Sequence, residues 1–303
     1  MAIGSFISDG WKDYQVIDAG DGEKLERWGP VIVVRPDPQI IWPRTQPAEV
    51  WQQCHMHYYR NKSGGGRWEQ LKKTPNQWTV SYKGLSFNIR PTDFKHMGLF
   101  PEQASNWEWA MSQIKSAAKP KPGQHGSPRP VRVLNLFGYT GGATVCCLHA
   151  GAEVTHVDAA KGMNQWAKDN IKTSGMDAPL CRIMTDDVYK FVRREQRRGS
   201  FYDGIIMDPP SYGRGPKGEM WKLEDKLFDL LKQSVAVLSS RPLFILLNTY
   251  TTGFTATAAE NVLQLALSQR DLSGNITSSP LGLPIGNGKL VLPCGNSVRW
   301  VFV

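Results

Sequence analysis

Residues 131–160 read VRVLNLFGYTGGATVCCLHAGAEVTHVDAA, and this stretch decides the fold. VRVLNLF is a near-continuous apolar run ending at a glycine, the pattern of a strand buried on both faces. ATVCCLHAGA reads as a short helix closing at Gly151, and VTHVDAA as a second strand. Strand, helix and strand in so short a span predict a right-handed crossover between parallel strands.

The alternation continues toward the C-terminus. MNQWAKDNIKTSG reads as a helix, CRIMTDD as a strand and VYKFVRREQRRGS as a helix. YDGIIMDPP reads as a strand, KLEDKLFDLLKQSVAVLSS as a long amphipathic helix, and PLFILLNTYT as another strand. The closing GKLVLPCGNSVRWVFV reads as a terminal antiparallel hairpin. The whole is an α/β, doubly wound, Rossmann-like domain.

Toward the N-terminus the character changes. AAKPKPGQHGSPRP (117–130) has prolines, glycines and basic residues without apolar periodicity and reads as a linker. PEQASNWEWAMSQIKSAAK (101–119) reads as a helix with Pro101 in its first turn. Residues 14–90 hold short β-like runs, VIVVRPD (31–37), WTVSYKG (78–84) and LSFNIRP (85–91), with NKSGGGRW (61–68) as a loop. The expected layout is a small β-rich domain over 1–95, a helical connection and linker over 96–130, and the α/β domain over 131–303.

The chain of 303 residues is 41% hydrophobic and 21% charged, which suits a globular protein with a large core. No stretch approaches the ~20 apolar residues of a membrane span, and the start lacks a secretory pattern, so a cytoplasmic location is expected. Five cysteines (54, 146, 147, 181, 294) show no metal-ligand or CxxC pairing, and no HExxH is present. Reduced thiols and no metal site are expected. A net charge of +9 suits a polyanionic partner.

In doubly wound sheets, ligands bind at the carboxyl ends of the strands. Gly138, Gly141 and Gly142 let backbone approach a ligand there, although the spacing is not GxGxxG. Asp158, at the end of the second strand, is placed to accept hydrogen bonds from ribose hydroxyls or to cap the next helix. Asp186 and Asp187 end the third strand and Asp208 the fourth. Carboxylates on consecutive strand ends repel a pyrophosphate but tolerate a cationic ligand, and S-adenosylmethionine fits with its sulfonium, ammonium and adenosine. A carboxylate, a rigid Pro209-Pro210 corner and Tyr212 then suit an acceptor clamp, with a strand-terminating turn as the plainer reading. The basic run RREQRRG (193–199) and Trp42, Trp51, Trp68 and Trp78 could meet nucleic acid or serve structure alone.

NLFGYTGGAT, HVDAAKGMNQWAKDNI, TDDVYKFV and DPPSYGRG, in this order, resemble the class I S-adenosylmethionine-dependent methyltransferases related to the bacterial 23S rRNA large-subunit (cytosine-C5 or guanine-N) methyltransferases. DAGDGEKLERWGPVIVVRPDPQIIWP (18–43) and HMGLFPEQASNW (96–107) resemble the same group. The resemblance implies that Asn135, Phe137, Gly138, Tyr139, Thr140 and Gly141 form the cofactor loop. It implies Asp158 as the ribose carboxylate with Ala159 beside the adenine, and Asp187, or in competition Asp186, near the adenine amine. GLFPEQ matches a segment that closes over the cofactor, placing Phe100 and Gln103 nearby, but Pro-Glu stands where better-known members have Leu-Asp, and Ala104 where they have Arg. Asp208, Pro209, Pro210 and Tyr212 match an Asp/Asn-Pro-Pro-aromatic acceptor motif of nucleobase amino-methyltransferases, with Ser211 displacing the aromatic by one position.

Methylation of cytosine C5 needs a cysteine nucleophile, and neither DPPS nor the strand end LLNTYTTGF (246–254) contains one. Cys294 is a poor candidate. The expectation is nitrogen methylation of a nucleobase in RNA, ribosomal RNA foremost. The alternatives are a methyltransferase for a small molecule or protein, and an RNA-binding module that keeps the fold without turnover.

Overall fold

The computed structural model describes residues 6–61, 65–118, 129–176, 180–214 and 220–303. The chain divides into two compact units, Met1–Ala104 with Leu281–Cys294, and Ser105–Pro280 with Gly295–Val303.

The first unit contains β1 (Phe6–Ile7), β2 (Tyr14–Gly20), β3 (Glu23–Trp28), β4 (Val31–Pro36), the short α1 (Ala48–Trp51), β5 (Met56–Arg60), β6 (Gly66–Gln70), β7 (Trp78–Tyr82) and β8 (Leu85–Ile89). Strands β2 to β6 form one sheet in sequence order, antiparallel except between β4 and β5, and β7 pairs with β8. Leu25 and Val34 of the larger sheet pack together with Trp51 of α1 and Cys54. Inside the unit Arg35 donates from Nε and Nη2 to Glu26 at 2.5 and 2.7 Å, and Tyr14 Oη donates to Glu26 at 2.7 Å. Burial works against the ionised carboxyl, but Arg35, Lys24 and Tyr14 outweigh it and hold Glu26 down at about 2.

The second unit contains α2 (Ala104–Ala117), β9 (Arg132–Leu136), α3 (Gly142–His149), β10 (Glu153–Asp158), α4 (Lys161–Thr173), β11 (Cys181–Thr185), α5 (Val188–Arg197), β12 (Gly204–Met207), β13 (Tyr212–Arg214), β14 (Met220–Lys222), α6 (Leu223–Ala236), β15 (Phe244–Thr249) and α7 (Ala256–Leu267). The chain ends in β16 (Gly274–Pro284) and β17 (Val291–Phe302), which run through both units. The central strand order is β17-β15-β12-β9-β10-β11, parallel except for β17. The sheet grows outward from β9 in both directions, so the topological switch point lies between β9 and β12.

Strands β9, β12 and β15 are buried along nearly their whole length, which is why their sequences are apolar rather than alternating. One face carries Leu134, Leu136, Ile205, Met207, Ile245 and Leu247 against Phe191, Leu227, Leu231 and Leu263 of α5, α6 and α7. In α6 the buried residues Leu223, Leu227, Leu230 and Leu231 recur at helical spacing. Among the described residues no helix is long and apolar enough to cross a membrane.

The βαβ alternation expected from 131 onward is present. Leu281–Cys294 belongs to the first unit, where Phe6 and Ile7 pair with Leu281 and Gly282. Most of the expected linker (119–128) lies outside the described residues. The terminal hairpin is longer than 288–303, since its first strand is the polar-rich GNITSSPLGLP. Helix α7 and the small β13–β14 hairpin have no counterpart in the sequence reading, and Tyr212 begins a strand rather than sitting in an open loop.

Candidate functional site

The carboxyl end of β9 turns sharply. Phe137, Tyr139 and Gly141 all have positive φ (58°, 51° and 83°), and Gly141 caps α3. Two non-glycine residues in the left-handed region of one tight turn are unusual and costly, and such strain concentrates at ligand sites. Hydrogen bonds hold the turn: Gly138 N donates to Val157 O at 3.0 Å, Gly141 N to Gly138 O at 2.9 Å, and Tyr139 N to Asp158 Oδ2 at 2.9 Å. The Thr140 carbonyl accepts from Asn170 Nδ2 of α4 at 2.8 Å.

A buried polar network lies behind the turn. Asn135 Nδ2 donates to Thr144 Oγ1 at 2.8 Å, and that hydroxyl meets His156 Nδ1 at 2.8 Å. Burial lowers the His156 pKa to about 4, so the ring is neutral near pH 7. Its Cε1 lies where a Cβ on Gly138 would come within 2.3 Å, so only glycine lets the turn pack here. Asn135 therefore braces the loop from inside, and His156 and Asn164 join it. Asn164 Nδ2 donates to Asp158 O at 3.0 Å and to Thr185 Oγ1 at 2.8 Å, tying the ends of β10 and β11 together. Sequence reading missed both, because a lone histidine in a strand and a lone asparagine in a helix carry no spacing signal.

Asp158 accepts from Tyr139 N and from Ala160 N at 2.8 Å. Its two oxygens have about four lone-pair directions, so two remain for hydroxyl donors of a ligand. Burial raises its pKa, opposed by those two N–H donors. Ala159 beside it is exposed. Asp187 caps α5, accepting from Lys190 N at 2.8 Å, and Asp186 pairs with Arg194. Both stand at the end of β11, so the structure brings Asp158, Asp186 and Asp187 to neighbouring strand ends.

Asp208 follows β12 across the switch point, with its N–H directed at Leu136 O (3.4 Å). It is half-buried, Pro209 is buried and Pro210 exposed. Trp221 of β14 donates from Nε1 to Pro210 O at 2.6 Å, and its ring lies 5.5 Å from that of Phe137. This indole joins the proline corner to the glycine turn. Thr251 Oγ1 donates to Ser211 Oγ at 2.8 Å, and Leu223 N to Ser211 O at 3.1 Å, so the corner is held from three sides. Of the two proline carbonyls, Pro210 O is taken, whereas no described group donates to Pro209 O. Tyr212 is 49% exposed beside this corner.

Phe100 and Gln103 lie in the first unit, around a 3-10 turn at Pro101–Gln103, where the Phe100 ring is 5.5 Å from His96 and Gln103 is buried. The tryptophans there serve structure: Trp42, Trp68 and Trp78 donate to the carbonyls of Ala19, Thr92 and Trp28, and Trp51 donates to Asp18. In α5, Arg194 is paired with Asp186, and Arg198, at the helix's C-cap, with Glu195. Burial pushes the Cys294 thiol well above its usual value, which suits packing and not nucleophilic attack.

The donor set therefore suits a ligand that brings hydroxyls, a flat base and positive charge. Comparison with known proteins agrees. Residues 40–238 match the model of the family described as S-adenosylmethionine-dependent methyltransferase. A solved S-adenosylmethionine-dependent methyltransferase from Agrobacterium tumefaciens is 35% identical, with a TM-score of 0.89, over 99% of this chain and 94% of that one. Ribosomal RNA large subunit methyltransferase K of Neisseria meningitidis serogroup B is 26% identical over 210 residues, 65% of this chain and 54% of that relative. Ribosomal RNA large subunit methyltransferase I of Klebsiella pneumoniae subsp. pneumoniae is 39% identical over 82 residues, 27% of this chain and 20% of that relative. The chain thus covers at most about half of these two curated relatives.

Proposed function

Because the chain belongs to the S-adenosylmethionine-dependent methyltransferase family, we propose that its acceptor is a nitrogen of a nucleobase in ribosomal RNA. The observation that carries this reading is the state of the proline corner. Trp221 occupies Pro210 O, and no described group donates to Pro209 O, beside the Asp208 carboxylate just past the strand that pairs with β9.

Bound S-adenosylmethionine supplies an electrophilic methyl group. The turn 137–141 would hold its methionine part, Asp158 its ribose hydroxyls, and Asp187 or Asp186, with Ala159, its adenine. Asp208 and Pro209 O would accept the hydrogens of an amine and leave its lone pair aimed at the methyl. In-line displacement then needs alignment and exclusion of water more than acid–base chemistry. Asp208 would also take the proton that the amine releases. Tyr212 would stack on the base, a contact worth about 1–3 kcal/mol, and a base in a duplex would have to leave its stack to reach it.

Two further facts support an RNA acceptor, the net charge of +9 and the likeness to ribosomal RNA large subunit methyltransferases. The test is transfer of labelled methyl to RNA, protein and small-molecule fractions of cells lacking this protein, followed by nucleoside mass spectrometry. Label on a nucleobase nitrogen of large-subunit RNA is the expected result; label confined to protein or small molecules overturns the proposal.

A further inference from the structure

The carboxyl end of β15 carries an amide whose orientation is forced. Arg299 of β17 has only donors, and its Nε and Nη2 lie 2.9 and 2.8 Å from Asn106 Oδ1 of α2. Asn106 must then present its nitrogen on the other side, where it donates to Asn248 Oδ1 at 2.9 Å and to Ser297 Oγ at 2.8 Å. The Ser297 hydroxyl passes its own hydrogen to the same Asn248 oxygen. Asn248 Oδ1 thus receives two hydrogen bonds, and Asn248 Nδ2 is turned away from the network. Asn248 is only 2% exposed, and no described group accepts from its Nδ2. A fixed, largely desolvated donor pair without a partner is unfavourable unless a ligand meets it.

Its position identifies the ligand. Met207 of β12 pairs with Leu247 of β15, so Asp208 and Asn248 are the next residues along adjacent strands, about 4.8 Å apart. Alternation from Gly204 and Ile206 puts position 208 on the face that carries Leu246 and Asn248. The Thr251–Ser211 hydrogen bond joins the chain beyond β15 directly to the proline corner. Asp158 stands at the end of β10, separated from β15 by β9 and β12, a span of about 14 Å. Asn248 therefore lies on the acceptor side of Asp208, away from the ribose carboxylate.

We propose that Asn248 is an acceptor-binding residue, its Nδ2 donating to a lone pair adjacent to the nitrogen held by Asp208 and Pro209 O. This rests on the nitrogen-acceptor reading above and narrows it. The acceptor is an amine flanked by a ring nitrogen or carbonyl, the edge shared by cytosine, adenine and guanine. A simple alkyl amine leaves the Asn248 donors unmet.

Two substitutions test it. Asn248→Asp keeps an oxygen for Asn106 and Ser297 while replacing the outward donor by an acceptor, and Asn248→Ala removes both. Each variant is compared with wild type by calorimetric affinity for S-adenosylhomocysteine, by kcat/KM on in vitro transcribed large-subunit ribosomal RNA, and by saturation-transfer NMR of cytidine, adenosine and guanosine on the S-adenosylhomocysteine complex. The expected result is S-adenosylhomocysteine affinity within twofold, at least a tenfold loss of kcat/KM, greater for Asp than for Ala, and loss of nucleoside saturation. A parallel loss of S-adenosylhomocysteine affinity overturns the proposal, as do wild-type values for both variants. Should Ala fail to fold, Asp decides. If wild type contacts a nucleoside through Asn248 but does not methylate the RNA, the ribosomal reading fails and the Asn248 assignment stands. If wild type does neither, both fall.

Discussion

Gly138→Ala probes the packing behind the glycine turn 137–141. Gly138 is not among the positive-φ residues, so alanine meets no backbone penalty there and its cost is steric. The added Cβ would sit 2.3 Å from His156 Cε1 and 2.4 Å from Nδ1, against 3.4 Å for an ordinary contact, so ring or turn must move by about 1 Å. The ring cannot move cheaply, since it is fully buried and tied to Thr144 Oγ1. Overpacking of this kind costs about 1–3 kcal/mol, and a strained Thr144 bond adds about 1 kcal/mol. The second unit should lose roughly 2–4 kcal/mol, and its melting midpoint should fall by about 4 °C or more. Movement of the turn also displaces Tyr139 N from Asp158, so affinity for S-adenosylhomocysteine should fall at least tenfold. The assay is a double-mutant cycle with His156→Ala, read by thermal melting and titration calorimetry. Once the ring is removed, Gly138→Ala should cost under about 1 kcal/mol. Full stability of the single Gly138→Ala variant, or an undiminished cost in the double variant, refutes the reasoning.

Trp221→Phe keeps the aromatic contact with Phe137 but removes the donor to Pro210 O, so turnover should fall about five- to tenfold while S-adenosylhomocysteine affinity holds; equal loss of both contradicts the assigned role. Tyr212→Ala should raise the KM for RNA by roughly 5- to 150-fold, the equivalent of 1–3 kcal/mol of stacking, and leave the melting curve unchanged. In the first unit, Glu26 is held at about 2, below its usual 4.5. Its pairing stabilises the fold above pH ~4.5, and that contribution, up to about 3 kcal/mol, is lost as pH falls from about 4.5 toward 2. Urea unfolding followed by tryptophan fluorescence should show this slope in wild type and lose it in Glu26→Gln, which should itself cost about 3–5 kcal/mol.

The parallel core was legible because a strand buried on both faces must be apolar throughout, as VRVLNLF and PLFILLNTYT are. The first strand of the terminal hairpin was not. GNITSSPLGLP is largely exposed at its start, so its pairing with β17 and not its composition makes it a strand. The residues at the strand ends were legible from a different rule, that ligands collect where doubly wound strands terminate, which singled out Asp158, Asp186, Asp187 and Asp208. What supports them was hidden. His156, Asn164, Trp221 and Asn248 act through partners 6 to 142 positions away along the chain, and no local pattern encodes such pairings. The aromatic stripe and the basic run illustrate the reverse: Trp51 and Arg194 drew notice as surface-binding types, yet both are partnered by carboxylates.

The central claim is that Asp208 holds a nucleobase nitrogen for methyl transfer. The most direct measurement is methyl transfer to in vitro transcribed large-subunit ribosomal RNA by wild type and Asp208→Ala, with S-adenosylhomocysteine affinity measured on both and the product nucleoside identified by mass spectrometry. The account predicts an N-methylated base from wild type, and at least a hundredfold slower transfer by the variant with cofactor binding retained. Transfer at the wild-type rate by Asp208→Ala, or a methyl group on a ring carbon, would contradict it.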